Sequence, residues 1–249
     1  MIYRLAAPLI YHNTKSKVYP DGHQKITICT RPIFRDDGWE PVAPDAPGVK
    51  ESKPKDMSNE VRADSVKRAK ERVFDIAYCN DFTHFITWTL DQAKIDRYDS
   101  KEVSRKLKKY LDNHVQRHDL KYLVIPEHHK DGAIHMHGLI SGDVDLIDSG
   151  HTTKDGKRIY NMPQWTLGYS TAIELDQHKD RIAKYITKYI TKDFAKIFGS
   201  FYYAGGHGLI RKPPVILYDT DYLSVNAEEY TVQAARLGFK YISVDSSGE

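Results

Sequence analysis

Four histidines and a glutamate crowd into VIPEHHKDGAIHMHGLI, residues 124–140. The β-branched residues and central Lys-Asp-Gly of this stretch otherwise read as strand, tight turn and strand. His135 and His137 are two apart, so on a strand both imidazoles point to one face and Met136 to the other. Two neutral imidazoles on one face begin a divalent-metal site that needs a third ligand. Glu127 brings a carboxylate to that face if Lys130-Asp131-Gly132 is a three-residue loop with Gly132 left-handed. His129 then pairs with Ala133, and Glu127 with His135. A two-residue Asp-Gly turn would flip every upstream residue and set His128 opposite His135 instead. A mixed imidazole and carboxylate set with open positions suits Mg2+, Mn2+ or Fe2+, and alone it also admits a non-haem iron oxygenase. The plain alternative is a chance pair of strand histidines bonded to backbone.

A second group lies in AKYITKYITKD, Ala183–Asp193. On a helix Tyr185 and Tyr189 are i and i+4 and share a side, roughly 40° apart. Ile182, Ile186 and Ile190 form an apolar stripe beside them, and Arg181, Lys188 and Lys192 fall on the other flank. A phenol is a weak nucleophile near neutral pH, its pKa being about 10. It attacks a phosphodiester only when the electrophile is activated or its proton is removed. A cation on the phosphate and neighbouring lysines would stabilise the transition-state charge. The products would be a 5′-phosphotyrosine and a free 3′-hydroxyl, with Tyr185 or Tyr189 as nucleophile and Lys188 and Lys192 in support. An iron oxygenase has no use for paired tyrosines with interleaved lysines. The competing reading is an amphipathic helix whose tyrosines rim the core.

The elements that must position these groups follow from periodicity. THFITWTLD (83–91) is β-branched and aromatic and predicts a central strand. SKEVSRKLKKYLDNHVQRH (100–118) carries Val103, Leu107, Tyr110, Leu111 and Val115 on one side and predicts a helix. KYLVIPE and AIHMHGLI are the two hairpin strands, HTTKDGKRIYNMPQW a polar excursion, GYSTAIELD a fourth strand and HKDRIAKYITKYITKDF a helix. Upstream, SNEVRADSVKRAKERVFDIAYCN predicts an amphipathic helix capped by Ser58, and QKITICT (24–30) a short strand. Strand, helix, three strands and helix suit an antiparallel sheet with helices packed on it, an α+β domain.

Composition limits the rest. Seven prolines fall before residue 57, and PVAPDAPGVKESKPKD (41–56) predicts a linker. We therefore expect an N-terminal extension, 1–56, and one main domain, 57–249. Cys29 and Cys79 alone, with no CxxC, argue against a disulfide framework. No apolar run is long enough to cross a bilayer and the first residues do not read as a secretory signal, so a soluble, intracellular (cytoplasmic) protein with no membrane partner is expected. A net charge of +3 leaves nucleic-acid binding to be decided by where the cations sit.

Taken together, these motifs resemble those of the HUH endonucleases that initiate rolling-circle replication of small phages, plasmids and single-stranded DNA viruses. FITWTLD resembles their first motif, PEHHKDGAIHMHGL the acid, turn and histidine–hydrophobic–histidine signature, and YITKYITK the third motif with two tyrosines. The resemblance spans residues 82–193. It implies a five-stranded antiparallel sheet, Mg2+ or Mn2+ held by Glu127, His135 and His137, and nucleophilic duty for Tyr185 or Tyr189. It also implies single-stranded DNA at a replication origin as substrate. No G-x-x-x-x-G-K-[ST] occurs, and AGGHGL (204–209) lacks the lysine of a phosphate loop, so a host helicase as well as a polymerase would be partners. The candidate DNA contacts are Lys106, Lys109, Arg117, Lys188 and Lys192, with Tyr160, Trp165, Tyr202 and Tyr203 as stacking platforms. A related transposase or relaxase, or a catalytically idle origin-binding protein, are the rival expectations.

Overall fold

A computed structural model describes residues 10–35, 63–191, 196–218, 231–235 and 239–244. The chain opens with β1 (Ile10–Val18), β2 (Gln24–Arg35) and α1 (Ala63–Cys79). β3 (His84–Leu90), α2 (Ser100–His118), β4 (Lys121–His128) and β5 (Ile134–Ser141) follow. Next come β6 (Ile147–Thr152), β7 (Arg158–Asn161), β8 (Gly168–Glu174) and α3 (Lys179–Thr187), which runs into a 3-10 turn, Lys188–Thr191. β9 (Tyr203–Gly205), β10 (Val215–Tyr218), β11 (Thr231–Ala235) and β12 (Phe239–Val244) complete the described elements.

The chain divides into two units, Glu60–Lys212 and a second made of Met1–Asn59 with Pro213–Glu249. The second unit holds a five-stranded antiparallel sheet in the order β10-β1-β2-β12-β11. Residues near the two termini therefore pair with one another, whereas the sequence reading divided the chain only at 56/57. The segment read as the short strand 24–30 runs to Arg35. Ser58, expected to cap α1, lies outside the described residues.

Glu60–Lys212 is an α+β unit. Its sheet has seven antiparallel strands in the order β6-β7-β8-β3-β5-β4-β9, not the five that the resemblance implied. The four inner strands, β8, β3, β5 and β4, are the ones the sequence pattern marks. The polar excursion adds the β6–β7 hairpin at one edge, and β9 pairs with Tyr122–Val124 at the other. These outer strands are short and polar, as exposed edges commonly are. β9 reaches only as far as Val124, so Pro126, with no N–H to give, sits beyond the last pairing on that side of β4.

Alternation sends Ile86, Trp88, Val124, Ile134, Met136, Ile140 and Ala172 to one face, where they bury against Val103, Leu107, Tyr110 and Leu111 of α2. Trp88 stacks on Trp165 with ring centroids 4.6 Å apart. The N-terminus of α2 is capped by Asp99, whose carboxylate accepts from the Lys101 and Glu102 N–H groups. Leu123, Ile125 and Leu139 are buried on the opposite face of the sheet, the side on which α1 and α3 pack, contributing Val73, Ile76, Ala77, Ala183 and Ile186 to the buried set. Gly138 makes the close approach of β4 to β5 possible: a Cβ there would lie 2.7 Å from the Leu123 carbonyl oxygen.

Candidate active site

The site is built on the β4–β5 hairpin. His129 N–H donates to Ala133 O (2.8 Å), Gly132 N–H to His129 O (2.8 Å), and Gly132 adopts φ 83°. This is the three-residue loop, and it pairs Glu127 with His135 and Ile125 with His137. Glu127, His135 and His137 thus share the face opposite Met136, while His128 pairs with Ile134 and is exposed.

β3 lies on the other side of β5, with Thr87 opposite His137 and Thr89 opposite His135. The Thr87 hydroxyl is 3.2 Å from His137 Nδ1, which leaves Nε2 directed at Glu127 Oε1, also 3.2 Å away. Glu127 is 6 % exposed, so this contact is made away from bulk water. The His135 imidazole is held below its usual pKa, first by burial and then by His129, which keeps it neutral. Its Nε2 is engaged by the Thr89 hydroxyl at 2.9 Å.

A divalent cation needs these donors around one point. Two imidazoles and a carboxylate are the right chemistry, and Glu127 and His137 already meet. His135 is turned toward Thr89, its ring centroid 5.9 Å from that of His137. Among the described residues no group of three or more His, Cys, Asp or Glu is placed to hold a metal ion. Rotation of His135 away from Thr89 is what the set lacks.

The tyrosines come to this same face. Tyr189 stacks on His137 with centroids 4.1 Å apart, and Phe85 of β3 packs near Tyr185, Tyr189 and His137 at 5.4, 6.0 and 6.0 Å. The Tyr185 and Tyr189 hydroxyls are 2.8 Å apart. The helix is not continuous through the pair, because Lys188 N–H reaches back to Tyr185 O, an i→i−3 contact, and the backbone tightens to 3-10 geometry before Tyr189. Tyr185 is 46 % exposed and Tyr189 half-buried. Desolvation first, then the bond to Tyr185, pushes the Tyr189 phenol well above its usual pKa. Lys188 Nζ sits 5.7 Å from the Tyr185 ring centroid. Lys192 lies outside the described residues.

The other candidates are placed elsewhere. Trp165 is 3 % exposed and belongs to the core stack with Trp88, its indole N–H on Thr89 O, so its ring is not offered to a ligand. Lys106, Lys109 and Arg117 stand on α2, across the sheet from the histidines, and Lys106 pairs with Glu102 at 3.0 Å. Tyr160 packs against the core edge, its ring edge-on to His84. Three residues of β3 escaped the sequence reading as site groups: Phe85, Thr87 and Thr89. Their signal was the alternation in FITWTLD, which puts all three on one face once β3 is known to pair with β5. Tyr169, opposite Thr89 on β8, also shares this face and is 70 % exposed.

Residues 83–194, a little under half of the chain, match the family model of the replication-associated protein ORF2. No curated protein and no solved structure matches the chain. The match supports a replication-initiator, Rep-like protein, and it covers both the histidine hairpin and the two tyrosines. No helix among the described residues is long and apolar enough to cross a membrane.

Proposed function

We propose that this chain is a site-specific, cation-dependent single-stranded DNA endonuclease and strand transferase of the HUH type that initiates rolling-circle replication. One observation carries the reading: two tyrosine hydroxyls 2.8 Å apart stand on the sheet face of Glu127 and His137, inside the segment that matches a replication-associated family.

Tyr185, the more exposed phenol, attacks the scissile phosphorus. An O–P bond forms as the phenolic proton leaves, the bond to the 3′ oxygen breaks, and that oxygen takes a proton to become the 3′-hydroxyl. Tyr189, whose raised pKa keeps its proton in place, donates to the Tyr185 oxygen and steadies the charge that grows there. Lys188 adds positive charge beside it. Mg2+ or Mn2+, held by Glu127, His135 and His137, would polarise the scissile phosphate. Thr87 fixes the His137 ring so that Nε2 faces the site. Tyr189 can serve in turn as the second nucleophile once synthesis regenerates the cleavage site, so one chain completes both transfers. A host helicase and polymerase would supply unwinding and synthesis.

The test is to incubate the protein with a random single-stranded DNA library and Mn2+ or Mg2+, then recover and sequence strands covalently attached to protein. Enrichment of one cleavage motif, dependent on the cation, supports the reading. A protein that binds a defined sequence but links no strand with either cation would be an idle origin-binding protein instead.

A further inference from the structure

Away from the histidine face, α1 and the chain from Lys196 to Arg211 enclose a cavity of about 580 Å3. Its walls carry Arg68, Arg72, Lys196 and Arg211 together with Phe201 and Tyr202, and no carboxylate. The two cavities around Glu174 and Asp176 both contain acids. In a chain whose net charge is only +3, four cations around one acid-free hollow are a concentration and not a background. Arg68 and Arg72 are i and i+4 on α1, where like charges repel, and neither has a carboxylate partner among the described residues. Arg211 is aimed by a bond to Ala204 O at 2.8 Å, and Lys196 lies over the Phe201 ring at 5.4 Å. A fold that gathers these charges without neutralising them suits a polyanion, and half-buried Tyr202 gives a base a ring to stack on.

We propose that this cavity is a second binding region for the single-stranded DNA substrate, taking backbone phosphates on Arg68, Arg72 and Arg211 and a base on Tyr202. It rests on the function proposed above. The placement also serves that function. α1 packs along α3 and the 3-10 turn, and the opposite wall begins at Lys196, seven residues after Tyr189, so both walls belong to elements adjoining the tyrosines. None of Glu127, His135, His137, Tyr185 or Tyr189 lines it, so it can be altered without touching the chemistry.

The test measures binding of a fluorescent oligo-dT strand by anisotropy over a range of salt. The proteins compared are the wild type, the Arg68→Ala/Arg72→Ala and Arg68→Lys/Arg72→Lys double variants, and Tyr202→Ala, with covalent-adduct formation followed in parallel. Losing two phosphate contacts should weaken binding and reduce the slope of log K against log salt by about 1.4 for a single strand. The lysine pair should keep the slope, and Tyr202→Ala should weaken binding without changing it. An alanine pair that binds with wild-type affinity and slope overturns the cavity while leaving the function standing. A wild type that binds the strand through these arginines yet forms no adduct overturns the function while leaving the cavity standing. Binding of dTTP in place of the strand would assign the cavity to a free nucleotide and overturn the proposal.

Discussion

The ring of Tyr189 lies on the ring of His137, centroids 4.1 Å apart and planes inclined by 23°. Helix and hairpin are thereby locked together: the residue that orients toward Glu127 is also the seat of a candidate nucleophile. Aromatic contacts of this kind contribute about 0.5–1.5 kcal/mol beyond area burial. Disturbing either ring should therefore be felt by the other.

His137→Ala should lower adduct formation by about 10²–10³, the usual loss on removing a positioned electrostatic group. The half-exposed edge of the site should let the fold survive. Glu127→Gln should cost less, because one carbonyl oxygen remains as a ligand, and His128→Ala, on the other face, should behave like wild type. Single-turnover rates with saturating Mn2+ measure this, and an inactive His128→Ala beside an active Glu127→Ala would reject the ligand set.

Thr87→Val removes the hydroxyl at His137 Nδ1 and keeps the shape of the strand. A loss of about 10–100-fold in cation affinity is expected from freeing that ring. Calorimetric titration with Mn2+ reads it directly, and unchanged affinity would mean that Thr87 does not position the ligand.

Trp165→Ala should destabilise the protein by about 3–5 kcal/mol, because a core stack is lost. Lys106→Ala and Lys109→Ala should leave single-stranded DNA binding unchanged, since both stand across the sheet from the site. Denaturant melts and anisotropy distinguish the two effects; a stable Trp165→Ala that binds DNA poorly would restore it as a platform.

Burial holds the His114 imidazole below its usual pKa, against a bond to Tyr110 O that raises it, and His84 is likewise lowered by burial. In the unfolded chain both titrate near 6.5. As pH falls below that value the unfolded chain takes up protons that the folded one refuses. Stability is therefore full above about pH 6.5 and declines on acidification toward the folded values. Thermal melts between pH 7.5 and 5.5 should show the decline, and it should be smaller in His114→Gln.

Much of this site was legible because its local rules are strict. A left-handed glycine closing a three-residue loop fixes register, and register fixes which face Glu127 shares with His135. The i, i+4 spacing brought the tyrosines together, although the backbone tightens before Tyr189 and changes their relative rotation. The outer strands were not legible, since β6, β7 and β9 are short, polar and without clean alternation. The lysines of α2 show the deeper limit. Amphipathic spacing says which side of a helix is wet, but it cannot say on which face of the sheet the helix will lie, so Lys106 and Lys109 were assigned to a site they stand behind. Trp165 misled for a related reason, its loop sequence concealing a core position.

The central claim is that the paired hydroxyls of Tyr185 and Tyr189 carry strand transfer. It is tested most directly by the covalent adduct formed on labelled cleavage-site DNA with Mn2+, resolved by denaturing gel and peptide mass for Tyr185→Phe, Tyr189→Phe and the double variant. Phenylalanine keeps the ring stack and removes only the nucleophile. Tyr185→Phe should lose most of the initial adduct, Tyr189→Phe should retain it but fail to complete the second transfer, and the double variant should form none. An adduct that persists in the double variant would contradict the account.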